Sequence, residues 1–416
     1  MKNKIILLLS LLVFTASFGQ RIVVKNVNII PINENKVLNK KSVLIENGKI
    51  IQIDDFDKLT LDKTERIINA KNKYLMPGLA DMHVHLHEKQ NLDTQFLLNV
   101  SAGVTQIRIM NSDENQGELK NSLNQKIKPS IHFSYIFSRK NTINQLDSIF
   151  ADVKKNKLGF IKLFSVKDEN TFDELMKRAN QEKIIVCGHY PSGISMEKVL
   201  QSGLKSIEHF SAYSKEQNKD KLDQNIQLTK ENNVYNCPTF DYFVTAFSYQ
   251  YPNEYRNRLT YQKAPKSYLE KWEKELRAKI DKDGEKKFLE SGENYKTTFE
   301  NQKAAFKKLY ENEGKLLVGS DASGIFQLSG FSMYDEMLFW AKLGIDNYTI
   351  LKSATLTPAQ FFNEQNKWGS VEVNKDADLI ILNKNPLENM SNLSSIETII
   401  LQGNVYSQKE LLKTLK

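Results

Sequence analysis

The sequence predicts an α/β protein, a (β/α)8 TIM barrel with a small β-sandwich domain built from both chain ends. Two observations carry that prediction. Eight short apolar runs recur between residues 78 and 322, most of them separated by stretches long enough to hold a helix, and alternating strands and helices favour a parallel barrel. Strand-and-turn segments flank this series on both sides, each too small to bury a face alone. A chain of 416 residues exceeds what one hydrophobic core usually organises unless the fold is a large barrel, so one large domain with appendages is expected.

The opening "MKNKIILLLSLLVFTASFGQ" has Lys2 and Lys4, an apolar run from Ile5 to Val13, and small or polar residues before Gln20. This is the pattern of a secretory signal peptide over residues 1–20. The alternative, a membrane anchor, is disfavoured because the run is shorter than the roughly 20 residues that span a bilayer. No cysteine follows it to accept a lipid, so the mature protein is expected in the periplasm or secreted, with no stable membrane anchor after signal removal. Cys187 and Cys237 are the chain's two cysteines. They are too few for a disulfide framework and wrongly spaced for a zinc ribbon, though a single bridge stays open. The net charge of +8 falls to +6 without Lys2 and Lys4, and the remaining charges intersperse both signs. A nucleic-acid partner is therefore not expected, since that would need a basic stripe with interleaved aromatics.

From Arg21 the sequence reads as short strands, "RIVVKNVNIIP", "SVLIENGKIIQI" and "RIINAKNKYLMPG", with Asn47-Gly48 as a hairpin signal. The last fifty residues repeat the texture in "ADLIILNKNP" and "IETIILQGNVYS", where Gly403 marks a turn. Residues 21–76 with 366–416 are thus predicted to form the composite β-sandwich, and 77–365 the barrel. The barrel strands are "GLADMHVH", "GVTQIRIM", "IHFSYIFS", "GFIKLFS", "IIVCGH", "SIEHF", "VYNCPTF" and "LLVGSDA". Between the fourth and fifth, "TFDELMKRANQ" puts Phe172, Leu175 and Ala179 on one helical face. The segment 241–314, after the seventh strand, is too long for one connection and reads as a helical excursion. Its Leu269, Trp272, Leu276 and Ile280 recur at helical spacing, a packing stripe rather than a ligand-stacking one.

Barrel enzymes build their sites from the C-terminal ends of the strands, and polar residues collect there. Strand one ends with His83 and His85, whose spacing of two turns both rings to one side. Strand four carries Lys162 inside an apolar run, where a bare cation is expensive to bury and must be neutralised. His189 and His209 end strands five and six, 27 and 20 residues further on, and Asp321 ends strand eight. Each residue alone has a bland alternative: a hydrogen-bonded core histidine, a helix cap, an ordinary ion pair. Together they offer nitrogen and oxygen donors suited to zinc or a similar divalent ion. His87 reads as a rim residue, His132 lies at the wrong end of the barrel, and Cys187 sits a layer too deep.

The pieces "MPGLADMHVHLHE", "FIKLF", "VCGHY", "SIEHF", "VGSDAS", "SATLTPAQFF" and "WGSVEVNKDADLIILNKNPL" resemble the amidohydrolase superfamily. The resemblance is closest to the branch holding imidazolonepropionase-like enzymes and Xaa-Pro or Xaa-Arg dipeptidases. It implies two divalent metal ions, with zinc the expected identity. By carry-over, His83, His85 and Asp321 would hold one ion and His189 and His209 the other. Lys162 would carry a carbon dioxide-derived carbamate bridging both, and an anionic carbamate removes the burial problem of the lysine. The implied reaction is hydrolysis of a C–N bond of a small-molecule substrate by an activated hydroxide, with Asp321 moving the proton and Lys162 and Asp321 as the catalytic residues. Departures from the family pattern fall in the loops. The run "FSYIFSRKNTI" lacks the usual histidine, "SVKDEN" replaces a serine-glycine-glycine run, Tyr334 stands where many relatives have histidine, and Asn374 where glycine is usual. Altered pocket residues around an unchanged metal set leave the substrate unnamed. A lactone or ester hydrolase on the same binuclear site, and a noncatalytic metal-stabilised binding protein whose excursion blocks the mouth, are the alternative readings. The oligomeric state stays open.

Overall fold

The computed structural model describes residues 21–62, 65–86, 92–112, 115–216, 218–246 and 255–415. The predicted signal peptide and His87 lie outside the described residues. The first strands are β1 (Arg21–Ile29), β2 (Leu38–Glu46), β3 (Lys49–Asp54), β4 (Arg66–Asn69) and β5 (Tyr74–Pro77). Asn47 and Gly48 join β2 to β3 with φ of 51° and 73°, the pair of left-handed residues that a tight hairpin matching the strand twist requires. β2 runs antiparallel to β1, whereas β4 and β5 run parallel to it.

The barrel strands follow: β6 (Leu79–Leu86), β7 (Val104–Ser112), β8 (Ser130–His132), β9 (Ser134–Phe137), β10 (Phe160–Leu163), β11 (Val186–Gly188), β12 (Ser206–Glu208) and β13 (Tyr235–Cys237). Only Phe133 separates β8 from β9, so together they form barrel strand three. All neighbouring pairs are parallel, in two runs, β6-β7-β8 and β9-β10-β11-β12-β13. The predicted eighth strand is irregular and meets each neighbour through a pair of backbone hydrogen bonds. On one side Asn236 N donates to Lys315 O and Leu317 N to Asn236 O, and Leu316 bridges Asn236 in parallel. On the other, Met82 N donates to Val318 O at 3.0 Å and Asp321 N to His83 O. Gly319 lets it pack closely against both: a Cβ there would lie 2.5 Å from Cys237 Sγ and 2.8 Å from His83 Cβ. These contacts bring strand eight between strands seven and one.

The chain then returns to the first sheet through β14 (Leu379–Leu382), β15 (Ile396–Leu401) and β16 (Asn404–Ser407). β14 pairs with β5, so strands from both chain ends make one eight-stranded sheet, β16-β15-β14-β5-β1-β2-β3 with β4 beside β1. The sheet curls on itself: Ile50 N donates to Lys375 O at 2.9 Å and Ala377 N to Gly48 O at 2.8 Å, which brings the β3 edge to the segment preceding β14. Ile22, Val24, Ile45, Leu75, Leu379 and Ile400 fill the interior from both sides of the curl. The two-layered unit anticipated from the sequence is realised as this continuous, curled sheet. Asn374, where glycine is usual, has φ of 73°, a region asparagine enters more readily than other side chains.

Helices cover the barrel. The helix Glu169–Glu182 starts on Asp168, whose side chain accepts from Thr171 N, and buries Phe172, Leu175 and Ala179. The excursion is helical at Phe240–Ala246, Leu259–Lys263, Lys266–Asp283 and Glu285–Glu311, the last two separated at Gly284. Trp272 and Leu276 are buried, while Leu269 and Ile280 are half-buried against the main core. Cys187 and Cys237 are buried and free.

Gly188 shows how tightly the site strands are spaced. It has φ of 147°, and a Cβ there would stand 2.3 Å from Leu163 O on β10. Gly188→Ala is expected to lower the unfolding free energy by about 1–3 kcal/mol, the usual cost of overpacking. Denaturant titration checks this, and an unchanged midpoint contradicts it.

Candidate metal centre

The end of β6 turns His83 and His85 to one side, their rings stacked with centroids 5.4 Å apart. Strand eight brings Asp321 to them, because Asp321 N donates to His83 O at 2.8 Å. The buried Asp81 carboxylate reinforces this junction. It accepts from His83 N at 3.1 Å, Ser320 N at 2.9 Å and Ser320 Oγ at 2.5 Å, and burial pushes its pKa up to about 6. His85 Nε2 lies 3.1 Å from Asp321 Oδ1 and His83 Nε2 3.9 Å from Oδ2. One ligand atom from each of the three residues lies within 4.8 Å of the others.

His189 and His209 meet beside them, Nε2 to Nε2 at 3.3 Å. His189 Nδ1 donates to Phe164 O at 2.9 Å, so its Nε2 carries the lone pair. His209 Nδ1 sits 2.7 Å from Thr239 Oγ1. When that nitrogen donates to Thr239, two lone pairs face each other across 3.3 Å, an arrangement that a cation relieves. His209 and Asp321 have φ of 70° and 47°, an uncommon conformation for such residues and one that concentrates at functional sites. Burial, followed by charged or basic neighbours, pushes His83 and His209 well below the usual imidazole range and His189 down to about 3. Neutral imidazoles are the form that binds metal.

Lys162 lies on β10, level with Cys187 of β11. Its Nζ is buried with no hydrogen-bond partner among the described residues. Burial pulls its pKa down to about 8 against the opposing attraction of Glu208. Lys162 is also among the charges that depress His83, His189 and His209. The six sequence-predicted residues therefore gather at one end of the barrel. Imidazole nitrogens, a carboxylate and an amine short of a partner are a donor set that divalent cations fit.

Sequence reasoning overlooked the residues behind the histidines. His83 Nδ1 lies 2.9 Å from Glu208 Oε2, and Arg108 NH2 donates to both Glu208 oxygens at 2.9 Å. Burial works against the Glu208 carboxylate, yet Arg108 holds it below the usual glutamate range. A signal was available: a glutamate and an arginine, each inside a short apolar barrel strand, need a buried partner of opposite charge. His83, Glu208 and Cys237 also lie close enough to suggest a second metal cluster. Glu208 is already engaged by Arg108 and Ser206, and burial raises the Cys237 thiol pKa well above its usual range, so that trio is a poor ligand set.

One expectation about the surrounding residues changes, and another gains a second aspect. Tyr334, taken from the sequence as a pocket substitution, is buried away from the pocket and donates to Ala102 O at 2.6 Å. A helix that buries Met333, Tyr334 and Met337 together turns this side chain into the core. Trp272 belongs to the packing stripe and contacts Phe326 at 5.7 Å between centroids, but with Lys271 and Glu275 it also walls a cavity of ≈ 280 Å³ that reaches His85. His132 stacks on Phe362 at 3.8 Å between centroids and meets Trp368 at 6.0 Å, so its ring is packed among aromatics outside both histidine groups.

The sequence profile of the amidohydrolase family matches residues 74–406. A dihydroorotase of Elusimicrobium minutum (strain Pei191) is 29% identical over 187 residues, which cover 44% of this chain and 38% of that protein. The chain thus matches less than half the length of this curated relative. Among solved structures, a Xaa-Pro dipeptidase with methionine bound in its active site superposes with a TM-score of 0.69 at 18% identity, over 93% of this chain and 100% of that one. A molinate hydrolase gives 0.71 at 13% identity, over 95% and 96%. At such identities these likenesses speak to the fold, the TIM barrel with its β-rich domain.

Proposed function

Because this chain belongs to the amidohydrolase family, we propose that it is a metal-dependent hydrolase that cleaves a C–N bond, amide, peptide or cyclic amide, in a small molecule. The observation that carries the reading is the buried Lys162 amine, which has no hydrogen-bond partner among the described residues and whose charge acts on His83, His189 and His209. In this reading His83, His85 and Asp321 hold one divalent ion and His189 and His209 the other. Lys162, as a carbamate, would help to hold both. A lysine near pKa 8 supplies the neutral amine that attacks carbon dioxide, releasing one proton as the carbamate forms. When bound, two such ions, zinc the first choice, supply a water whose pKa falls from about 15.7 toward 7 and polarise the substrate carbonyl.

The chain's own residues do the rest. Asp321 Oδ1 takes a proton from water and delivers it to the departing nitrogen, the role of a positioned carboxylate. Phe164 O and Thr239 Oγ1 fix the rings of His189 and His209. Trp272, Lys271 and Glu275 of the helix Lys266–Asp283 line the cavity that reaches His85, and in this reading they screen the site from bulk water. Residues 1–20 act in this reading as a signal peptide that is removed, placing the enzyme in the periplasm or medium.

The test is the zinc-loaded mature chain, supplied with bicarbonate, on dipeptides, N-acyl amino acids, cyclic amides and lactones. The expected result is release of amine from at least one amide class. Turnover confined to lactones or esters contradicts the C–N assignment, and tight metal binding with no turnover on the whole panel returns the protein to a noncatalytic role.

A further inference from the structure

Behind the candidate ligands runs a chain of buried polar groups whose order has a consequence for the metal. Arg108 of β7 is fully buried. Its Nε donates to Met82 O at 2.6 Å, one terminal nitrogen to Ser206 Oγ at 3.0 Å, and the other to both oxygens of Glu208. Ser206 Oγ in turn donates to Glu208 Oε1 at 2.6 Å. The rings of Phe361 and Phe160 flank the guanidinium at 5.0 and 5.9 Å. Burying this many charged groups gains little stability against an apolar alternative, so packing alone does not account for it.

We propose that Glu208 and Arg108 are positioning residues that fix His83 with its Nδ1 protonated and its Nε2 lone pair aimed at the metal. A carboxylate engaged by an arginine only accepts hydrogen bonds. The single nitrogen of His83 within its reach, Nδ1 at 2.9 Å, must therefore donate. Nε2 is then the unprotonated nitrogen, on the side of Asp321 and His85. Arg108 also grips the carbonyl of Met82, the residue before His83, so one guanidinium restrains both the backbone and the ring partner of the ligand. Outer-shell partners of this kind typically tune metal affinity by about 10–100-fold.

The inference rests on His83 being a metal ligand, and the test separates the two ideas. Cobalt(II) is titrated into wild type and Glu208→Gln, following the visible absorption spectrum, stoichiometry and affinity, with thermal unfolding of the metal-free proteins alongside. An amide at this position directs an N–H either at His83 Nδ1 or into the Ser206 and Arg108 donors, so it cannot enforce the same tautomer without a clash. The expected result is a folded protein whose cobalt affinity falls about 10–100-fold at the His83 site, with a changed spectrum. Should Glu208→Gln leave Arg108 unpaired and unfold the chain, Arg108→Gln with Glu208→Gln removes both charges and is expected to fold with the same lowered affinity. Wild-type affinity and spectrum in either folded variant, even with a lower unfolding temperature, reduce the pair to a packing role and overturn the inference. A wild-type chain that binds no cobalt overturns the metal reading itself.

Discussion

Replacing Lys162 by alanine is expected to cost the protein one or both metal ions and to lower turnover by about 10³-fold or more, equivalent to roughly 4 kcal/mol of barrier. The amine is buried near enough to the histidines to act on them electrostatically, without a hydrogen-bond partner among the described residues. Such a group is a liability to the metal-free fold, and in the proposed reading it would become an asset once converted to an anion held by two cations. The two consequences are separable. Lys162→Met keeps the apolar stem and removes the orphaned amine, so the metal-free protein is expected to gain about 1–3 kcal/mol of unfolding free energy while losing the same activity. Metal analysis, steady-state rates and denaturant titration of the three proteins check the pair of claims. Normal turnover in Lys162→Ala, or a large loss of metal-free stability in Lys162→Met, contradicts the bridging role.

Asp321→Asn carries the second large effect. The carboxylate faces His85 Nε2 at 3.1 Å and also approaches His83 and His209 at 3.9 and 3.8 Å. It is therefore placed both to ligate and to move a proton. The amide retains the shape but neither accepts a proton at neutral pH nor binds a hard cation well. Turnover is expected to fall about 10²–10⁴-fold, the range of a lost general acid–base group. Raising zinc to saturation should recover occupancy without restoring kcat. Full recovery of kcat at saturating zinc would confine Asp321 to holding metal.

The overall architecture was legible because its signals are local. Runs of buried strand recur at helix-sized intervals, Asn47-Gly48 names its turn, and the two-residue spacing of His83 and His85 fixes a shared side. Lys162 stood out because an apolar strand gives a cation no reason to be there. Glu208 and Arg108 were less visible, since their strands lie 100 residues apart and only the closure of the fold reveals that each satisfies the other. Tyr334 misled because the helix Ser332–Lys342 is buried along much of its length, so a polar tip near the strand-eight loop turned inward to a backbone carbonyl. The form of the β-rich layer was equally non-local: the sequence supplies its strands, but the pairing of β14 with β5 makes them one curled sheet. Strand eight reads as a strand in its apolar residues, yet it is irregular in the structure, and Asp321 takes a left-handed backbone where it delivers its carboxylate.

The most direct measurement is anomalous diffraction at the zinc edge from crystals of the zinc-loaded protein grown with bicarbonate. The account predicts two peaks among His83, His85, His189, His209 and Asp321, with electron density extending from Lys162 Nζ as a carbamate toward both. Zinc-loaded crystals with no peak at that end of the barrel, or with Lys162 unmodified and turned away from it, would contradict the account at its root.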